Sequence, residues 1–133
     1  MSDYRLELQA QIQSKALGWA FRASDPKNFL AAKIEVVRPG LEPGLEWVRF
    51  TVMNGQESPR VRLPLTLRAR LDTVYKIRLE ALGDRFTAWV QDQKVDQWTD
   101  PWIPSGGVGL YYDRGESASL QGGIAIVPLS IKP

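Results

Sequence analysis

Carboxylates are the side chains through which this chain could most readily perform acid–base chemistry, because it contains no histidine and no cysteine. The two absences exclude a Ser-His-Asp triad, a thiolate nucleophile and a metal site held by imidazole or thiolate. Catalysis would have to use carboxylates, lysine, tyrosine or a metal held by oxygen. The closest carboxylate spacings are Glu80 with Asp84, Asp92 with Asp96 and Asp100, and Asp113 with Glu116. All fall in or beside predicted turns, where charged side chains are usually solvated, so the sequence predicts no catalytic residue.

Three aspartates in predicted loops, Asp25, Asp100 and Asp113, are the candidates for a calcium site. Ca²⁺ takes about six to eight oxygen ligands, and the sequence has no D-x-D-x-D-G loop or other dense oxygen cluster around these positions. Aspartate also stabilises turns by accepting hydrogen bonds from the backbone. We therefore expect turn-stabilising roles, assign no metal and no other cofactor, and keep calcium binding as the alternative.

Aromatic and charged side chains on the polar faces of predicted strands form the candidate ligand-binding set. Flat aromatic rings can pack against the C–H faces of a sugar ring, and charged side chains hydrogen-bond hydroxyl groups in fixed directions. Strand alternation selects these residues: Arg22, Trp47, Arg49, Arg78, Glu80, Trp89 and Tyr111. If their strands lie in one sheet, they form one surface, with a shallow groove left around Arg22 by Gly18 and Ala20. The alternative is that these side chains contact a partner domain or fill sheet edges.

Seven cationic side chains between positions 60 and 85 form the most basic part of the chain. They are Arg60, Arg62, Arg68, Arg70, Lys76, Arg78 and Arg85. Such a run could contact an acidic polysaccharide or a phosphate-bearing partner, although strand alternation alone places arginines on a solvated face. Because the formal net charge is only +2 and no nucleic-acid-binding motif is present, the sequence predicts no nucleic-acid partner.

The segments that must position these side chains alternate between apolar and polar residues, a period typical of strands with one buried face. The alternating segments are 4–13, 17–23, 30–36, 48–52, 75–81 and 86–90. Turn signals separate them at residues 25–28, 39–44, 54–55, 83–84 and 92–93, where Pro, Gly, Asn and Asp favour turns. We expect Trp19, Phe21, Phe50 and Phe86 in the core.

About ten short strands with turns between them indicate an all-β fold, an antiparallel two-sheet β-sandwich. Residues 67–72 form at most one short helix. The 133 residues suit a single domain spanning 1–133, since no interior linker and no internal repeat interrupts the pattern. The strand-like pattern begins almost at Met1, so the sequence is expected to be either a mature form or a domain excised from a longer protein.

The second half of the chain carries a recognisable order of motifs. The strand Tyr75–Ala81 is followed by Gly83-Asp84, the strand Phe86–Val90, Trp98 with Asp100, and Gly106–Tyr111. Gly18–Asp25 with Asn28-Phe29 forms a further hairpin motif. Together these resemble the concanavalin A-like lectin/glucanase (laminin-G-like) jelly-roll superfamily, nearest to bacterial 3-keto-disaccharide hydrolase-like domains. Asp92-Gln93 departs from the usual Asn-Gly turn. The resemblance covers Asp3 to about Val127 and implies a jelly-roll sandwich.

This superfamily includes lectins, carbohydrate-binding modules, adhesion domains and glycoside hydrolases, so the fold alone assigns no function. Its glucanases carry an E-x-D-x-(x)-E string on one strand, which this chain lacks. The resemblance therefore implies a non-catalytic binding or accessory module for an oligo- or polysaccharide, with its site on the concave sheet. The alternatives are a glycan-active hydrolase-like domain and a protein–protein adhesion or packing domain.

The first residues lack a basic region followed by an apolar segment, so no signal peptide is predicted. No apolar run of about 18 residues predicts a membrane span. The resemblance makes an extracytoplasmic location the expectation, but the sequence itself leaves the compartment open. Other domains of a parent protein are expected as further partners.

Overall fold

The computed structural model describes residues 2–129, which form two antiparallel sheets packed face to face. Sheet A contains β1 (Tyr4–Ser14), β7 (Val74–Leu82), β8 (Arg85–Val90), β9 (Gln93–Thr99), β11 (Ser117–Leu120) and β12 (Ala125–Pro128). Sheet B contains β2 (Ala16–Asp25), β3 (Asn28–Arg38), β4 (Gly44–Met53), β5 (Gln56–Glu57), β6 (Val61–Leu65) and β10 (Gly107–Leu110). The strand orders are β11-β1-β7-β8-β9 and β10-β2-β3-β4-β5; β12 also pairs with β1, and β6 with β4. The predicted fold class, an all-β antiparallel sandwich, is confirmed.

The main core lies between the sheets and is built by the period-two alternation of their strands. In β1, Tyr4, Leu6, Leu8 and Ala10 are buried while the residues between them are not. Trp19 from β2 packs against Trp47 from β4, with ring centroids 5.6 Å apart. Trp19, Phe21 and Phe86 lie in this core as expected.

A second buried cluster lies on the outer face of sheet B, the face directed away from sheet A. It contains Ala31, Val48, Phe50 and Val52, with Phe29 and Tyr111 packed against it. The sequence interpretation of β4 was therefore wrong: Trp47 faces the main core, and Phe50 faces outward although it is buried. Because β4 carries large apolar residues on both faces, alternation alone cannot identify which face meets the other sheet.

Two of the predicted turns are tight hairpin turns in which both residues have positive φ angles. Asn54 and Gly55 have φ values of 53° and 78°, as a two-residue hairpin turn of the primed type requires. The turn between β8 and β9 is formed by Gln91 and Asp92, with φ values of 53° and 64°, one residue earlier than predicted. Residues 67–72 form turns and bends, and residues 2–129 contain twelve strands and no helix. No helix in this range is therefore long and apolar enough to cross a membrane.

Candidate functional site

The loop that follows β10 lies across the outer face of sheet B. The Tyr111 backbone N–H donates to the Gly18 carbonyl oxygen at 3.0 Å. A Cβ at position 18 would lie 2.6 Å from the Tyr111 carbonyl oxygen, so this close approach requires glycine. The Tyr111 ring packs against Phe29 and Phe50, with centroids 5.8 and 5.4 Å away. The loop is thereby fixed over β2, β3 and β4.

Lys33 is the buried charge at the centre of this surface, with its side chain only 1% exposed. It lies on β3 between Ala32 and Ile34, which face the main core, so it is directed to the outer face. Its Nζ donates to Asp113 Oδ2 at 2.6 Å and to Glu116 Oε2 at 2.5 Å, and lies 3.5 Å from a Glu35 oxygen. A buried ammonium is tolerated only with such partners.

Asp113 connects Lys33 to the rest of the surface. Besides Lys33, its carboxylate accepts hydrogen bonds from Arg60 Nη1 at 3.0 Å and from the Tyr111 hydroxyl at 2.8 Å. Partial burial acts to raise the pKa of Asp113, but the hydrogen bonds from Lys33, Arg60 and Tyr111 outweigh it and hold that pKa well below its usual value. Burial and the hydrogen bond to Asp113 raise the pKa of Tyr111 to about 12. Near neutral pH, Asp113 is therefore an anion and Tyr111 a neutral donor.

Two arginines extend the cluster toward solvent. The guanidinium of Arg60 lies 4.1 Å from the Phe50 ring centroid and donates to Glu57. Arg62 Nη1 donates to Glu35 at 2.9 Å and to Glu46 at 3.3 Å. We call the connected set the Asp113 network: Lys33, Glu35, Glu46, Glu57, Arg60, Arg62, Tyr111, Asp113 and Glu116. Its three cations and five carboxylates give it a net negative charge.

Arg22 and Trp47, two of the residues predicted for a binding surface, are buried between the sheets. Arg22 has φ 47° at a register shift in β2, which turns its side chain inward. Its guanidinium donates to the Ser2 carbonyl oxygen at 2.7 and 3.0 Å and lies 4.9 Å from the Phe86 ring centroid. Trp47 donates its indole N–H to Asp96.

The other five predicted site residues are divided among three places. Arg49 lies at an open edge between the sheets, where its Nε donates to Asp96. Arg78, Glu80 and Trp89 lie on the outer face of sheet A, with Arg78 stacked 4.3 Å from the Trp89 ring centroid. Tyr111 alone belongs to the Asp113 network. The structure therefore does not bring the seven residues together, because β7 and β8 belong to a different sheet from β2 and β4.

Sequence reasoning did not combine Lys33, Arg60, Arg62, Asp113 and Glu116 into one site. Arg60 and Arg62 stood out only as part of a basic run, and Asp113 only as a loop aspartate. One signal was available, since Gly18, Ala20 and Ala31 are small residues opposite the core positions of neighbouring strands. Small side chains on an outer face leave room for a covering loop.

The three aspartates considered for calcium each accept hydrogen bonds from protein donors. Asp25 accepts from the Lys27 backbone N–H at 2.7 Å and from the Asn28 amide at 3.0 Å. Asp100 accepts from the Thr51 hydroxyl and from the Trp102 backbone N–H. No group of three or more acidic side chains suited to a metal ion occurs within residues 2–129. The turn-stabilising role expected of Asp25 is the one its contacts describe.

The architecture is that of a galectin-like β-sandwich. The carbohydrate-binding module CBM66 from Bacillus subtilis superimposes with a TM-score of 0.71 at 23% identity, covering 96% of this chain and 76% of that one. Sheep galectin-11, solved in complex with glycerol, gives 0.70 at 10% identity, covering 96% and 91%. Xenopus laevis galectin-Ib gives 0.70 at 12% identity, covering 92% and 89%. No protein-family model and no curated protein sequence matches the chain.

Proposed function

We propose that the chain is a non-catalytic carbohydrate-binding domain and that its ligand binds at the Asp113 network. The observation that carries the proposal is Asp113 itself, whose carboxylate is 35% exposed although Lys33, Arg60 and Tyr111 all donate to it. Held in this way, it can accept a further hydrogen bond without losing conformational freedom on binding. The likeness of the fold to a carbohydrate-binding module and to galectins supports the same conclusion.

The chemistry of the surface suits vicinal hydroxyl groups. A hydroxyl group both donates and accepts, so it can bridge a carboxylate and a neighbouring guanidinium. Arg62, which is 43% exposed, lies between Glu35 and Glu46 and presents such alternating partners. The half-buried rings of Phe29 and Tyr111 add apolar surface beside these charges.

The net negative charge of the network favours a neutral sugar over an acidic one. Arg60 is already paired with Glu57 and Asp113, and Arg62 with Glu35 and Glu46. A sulfate or uronate group would have to compete with these carboxylates and would approach like charges. Arg60 and Arg62, the residues of the basic run that lie on this surface, are thus neutralised by carboxylates. We therefore expect neutral oligosaccharides as ligands.

The test is isothermal titration calorimetry with a panel of neutral and sulfated oligosaccharides. We expect Arg62→Ala to weaken the binding of a neutral ligand by about five-fold or more, because arginine is enriched among the few residues that carry most of the binding energy. Asp113→Asn is the second variant, because it keeps the size of the side chain and removes the charge. The matched control is Lys76→Ala on sheet A, an exposed cation whose partner Asp92 is also exposed. Unchanged affinity in both network variants, or equal binding of sulfated glycans, would contradict the proposal.

The alternative function considered from the sequence is a hydrolase-like domain related to bacterial 3-keto-disaccharide hydrolases. Glycoside hydrolysis needs a carboxylic acid that can donate a proton. Asp113 and Glu116 both bind the Lys33 ammonium, and the hydrogen bonds to Asp113 outweigh its partial burial and lower its pKa. Asp113 is therefore held as an anion and is not suited to donate a proton. We therefore expect no release of reducing ends when the panel is incubated with the protein.

A further inference from the structure

A cleft that shares Glu57 with the Asp113 network, but none of its cations, opens where β9, at the edge of sheet A, faces the interrupted edge of sheet B. There β5 pairs with Val52 and Met53, and β6 pairs with residues 45–49. Between them the chain bends away at Ser58, and a cavity of about 520 Å³ opens between the sheets. Its size lies in the range of about 300–1,000 Å³ that is common for small-molecule sites. We call this feature the edge cleft.

Arg49 lines one side of the edge cleft and is held in a fixed position. Its Nε donates to Asp96 Oδ2 at 2.6 Å, and the Trp47 indole N–H donates to the same oxygen at 2.9 Å. The guanidinium also lies 4.8 Å from the Trp98 ring centroid. Its two terminal amino groups have no hydrogen-bond partner among residues 2–129. The cleft therefore presents N–H donors whose position the protein has already fixed.

Trp102, from the loop after β9, also lines the edge cleft and is 67% exposed. Asp100 sets its position, because one carboxylate oxygen accepts from the Trp102 backbone N–H at 3.0 Å and the other from the Thr51 hydroxyl. This pairing joins the loop after β9 to β4 across the cleft. A large exposed aromatic ring next to a cavity is where an apolar ligand face would gain most from burial.

The residues around the cleft discriminate among classes of ligand. The charge of Arg49 is balanced by Asp96, and Glu57 and Asp100 also line the cleft, so an anionic ligand is disfavoured. A peptide adding as a strand would need the backbone groups of Thr51, but Ser58 uses both of them, accepting from Thr51 N and donating to Thr51 O. A neutral sugar ring fits, because it has an apolar face for Trp102 and hydroxyl groups for Arg49.

We propose that the edge cleft is a second carbohydrate site that binds one neutral sugar ring between Trp102 and Arg49. The class of ligand rests on the proposed function, whereas the residues and their position do not. Occupancy of this site would let the domain hold two glycan chains, or two points of one chain, at once. Binding at two linked points raises apparent affinity without any new contact at either site.

The experiment follows ¹H–¹⁵N NMR resonances of the whole chain during titration with lactose, maltose, sucrose and methyl glycosides of glucose and galactose. The chain has five tryptophans, and the indole resonance lost in Trp102→Ala identifies Trp102. We expect a panel sugar to shift the Trp102 indole and the amides of Thr51 and Asp100, and to do so equally in Arg62→Ala. Trp102→Ala should weaken the response at Thr51 by about five-fold or more. Trp102→Phe, which keeps a flat ring, should restore part of it, and Trp89→Ala on sheet A is the matched control.

The outcomes separate this inference from the proposed function. If resonances of the Asp113 network move and those of Thr51, Asp100 and Trp102 do not, the second site is refuted and the proposed function stands. If the cleft resonances move only when Arg62 is present, the cleft is not an independent site and the inference fails. If the cleft responds and the network does not, the inference holds and the location proposed for the main site is wrong. No response anywhere overturns both.

Discussion

The outer faces of the two sheets differ in how much of each is already covered by the protein itself. On sheet A, Arg5 and Glu7 form an ion pair at 3.4 Å, and both side chains are more than a third exposed. On sheet B, Lys33 is buried and lies beside a buried apolar cluster around Val48 and Phe50. The outer face of sheet A is thus solvated, whereas the loop after β10 covers part of the outer face of sheet B.

This difference in solvent exposure determines which charged side chains contribute to the stability of the fold. Exposed ion pairs contribute little to stability, about 0–1 kcal/mol, because water and salt screen them. Charges that are removed from water must be paired, and the loss of one partner is costly. Lys33, Asp113 and Glu116 form a cluster in which the buried charge must be paired. The cluster fixes the surface of sheet B in position, and the stability of the fold therefore depends on each of these three side chains.

The largest effect should come from removing the buried charge on sheet B. Lys33→Met removes the cation that pairs with Glu116 and leaves Arg60 as the cationic partner of Asp113. We expect the free energy of unfolding to fall by about 4 kcal/mol, as when one partner of a buried ion pair is removed. Urea denaturation at neutral pH measures the change. The matched control is Lys76→Met on sheet A, whose partner Asp92 is exposed, and its effect should be below about 0.5 kcal/mol. Similar losses in both variants would erase the contrast between the two faces.

A second test compares aromatic residues on the two outer faces. Phe50 is buried beneath Arg60 and Tyr111, so Phe50→Ala should cost about 3 kcal/mol, as in a core. Trp89 lies half-buried beneath Arg78 on sheet A, and Trp89→Ala should cost no more than about 1 kcal/mol. Thermal and urea unfolding of the two variants measure the difference. If the free energy of unfolding falls as much in Trp89→Ala as in Phe50→Ala, the outer face of sheet A is packed as tightly as that of sheet B.

Much of the fold could be predicted because β1, β7 and β8 of sheet A each have one buried face. Leu6 and Leu8 in β1, and Ile77 and Leu79 in β7, alternate with polar residues and are buried as predicted. Asn54-Gly55 predicted its hairpin turn correctly, because Asn and Gly adopt positive φ angles at little steric cost. Local pattern and turn chemistry were sufficient in these segments.

The site could not be predicted in the same way, because its geometry depends on distant parts of the chain. Lys33 looks like a solvated strand residue until a loop 80 residues away places Asp113 over it. Arg22 follows an alternating pattern, yet the register shift in β2 turns it inward. Neither the position of the loop after β10 nor an irregular backbone is encoded in the period of a single strand.

The acid response of the protein should depend on Asp113. Although partial burial acts to raise its pKa, the donors around it hold its folded-state pKa below the unfolded value of about 3.9. Its ionised form therefore stabilises the fold above that pH, and this contribution is lost as the pH falls through the folded pKa. At pH 6, Asp113→Asn should be about 1.5 kcal/mol less stable than the wild type, since hydrogen bonds to a charged group are lost.

The same pair should converge in acid, because protonation removes the advantage that the wild type holds over Asp113→Asn. Urea denaturation of both proteins at a series of pH values between about 6 and 2 measures this convergence, starting near the unfolded pKa of about 3.9. A stability difference that stays constant over the whole range would show that Asp113 contributes through packing and not through its charge.

The smallest effect on stability is expected from Arg78, which was predicted to bind ligand but lies on the solvated outer face of sheet A. Its guanidinium stacks on Trp89, and its Nε is buried with no hydrogen-bond partner among residues 2–129. Arg78→Ala loses the stacking but also removes an unpaired donor, so these two contributions oppose each other. The free energy of unfolding should change by less than about 1 kcal/mol.

The same variant also locates the binding surface on one of the two faces. We expect Arg78→Ala to bind a neutral glycan within about two-fold of the wild type, while Arg62→Ala on sheet B binds it about five-fold or more weakly. Both substitutions remove one half-exposed arginine, so net charge and long-range attraction change equally. Calorimetric titration of the two variants with the same glycan therefore isolates position as the variable. The reverse result would move the site to Arg78, Glu80 and Trp89, and the covered face of sheet B would then have a purely structural role.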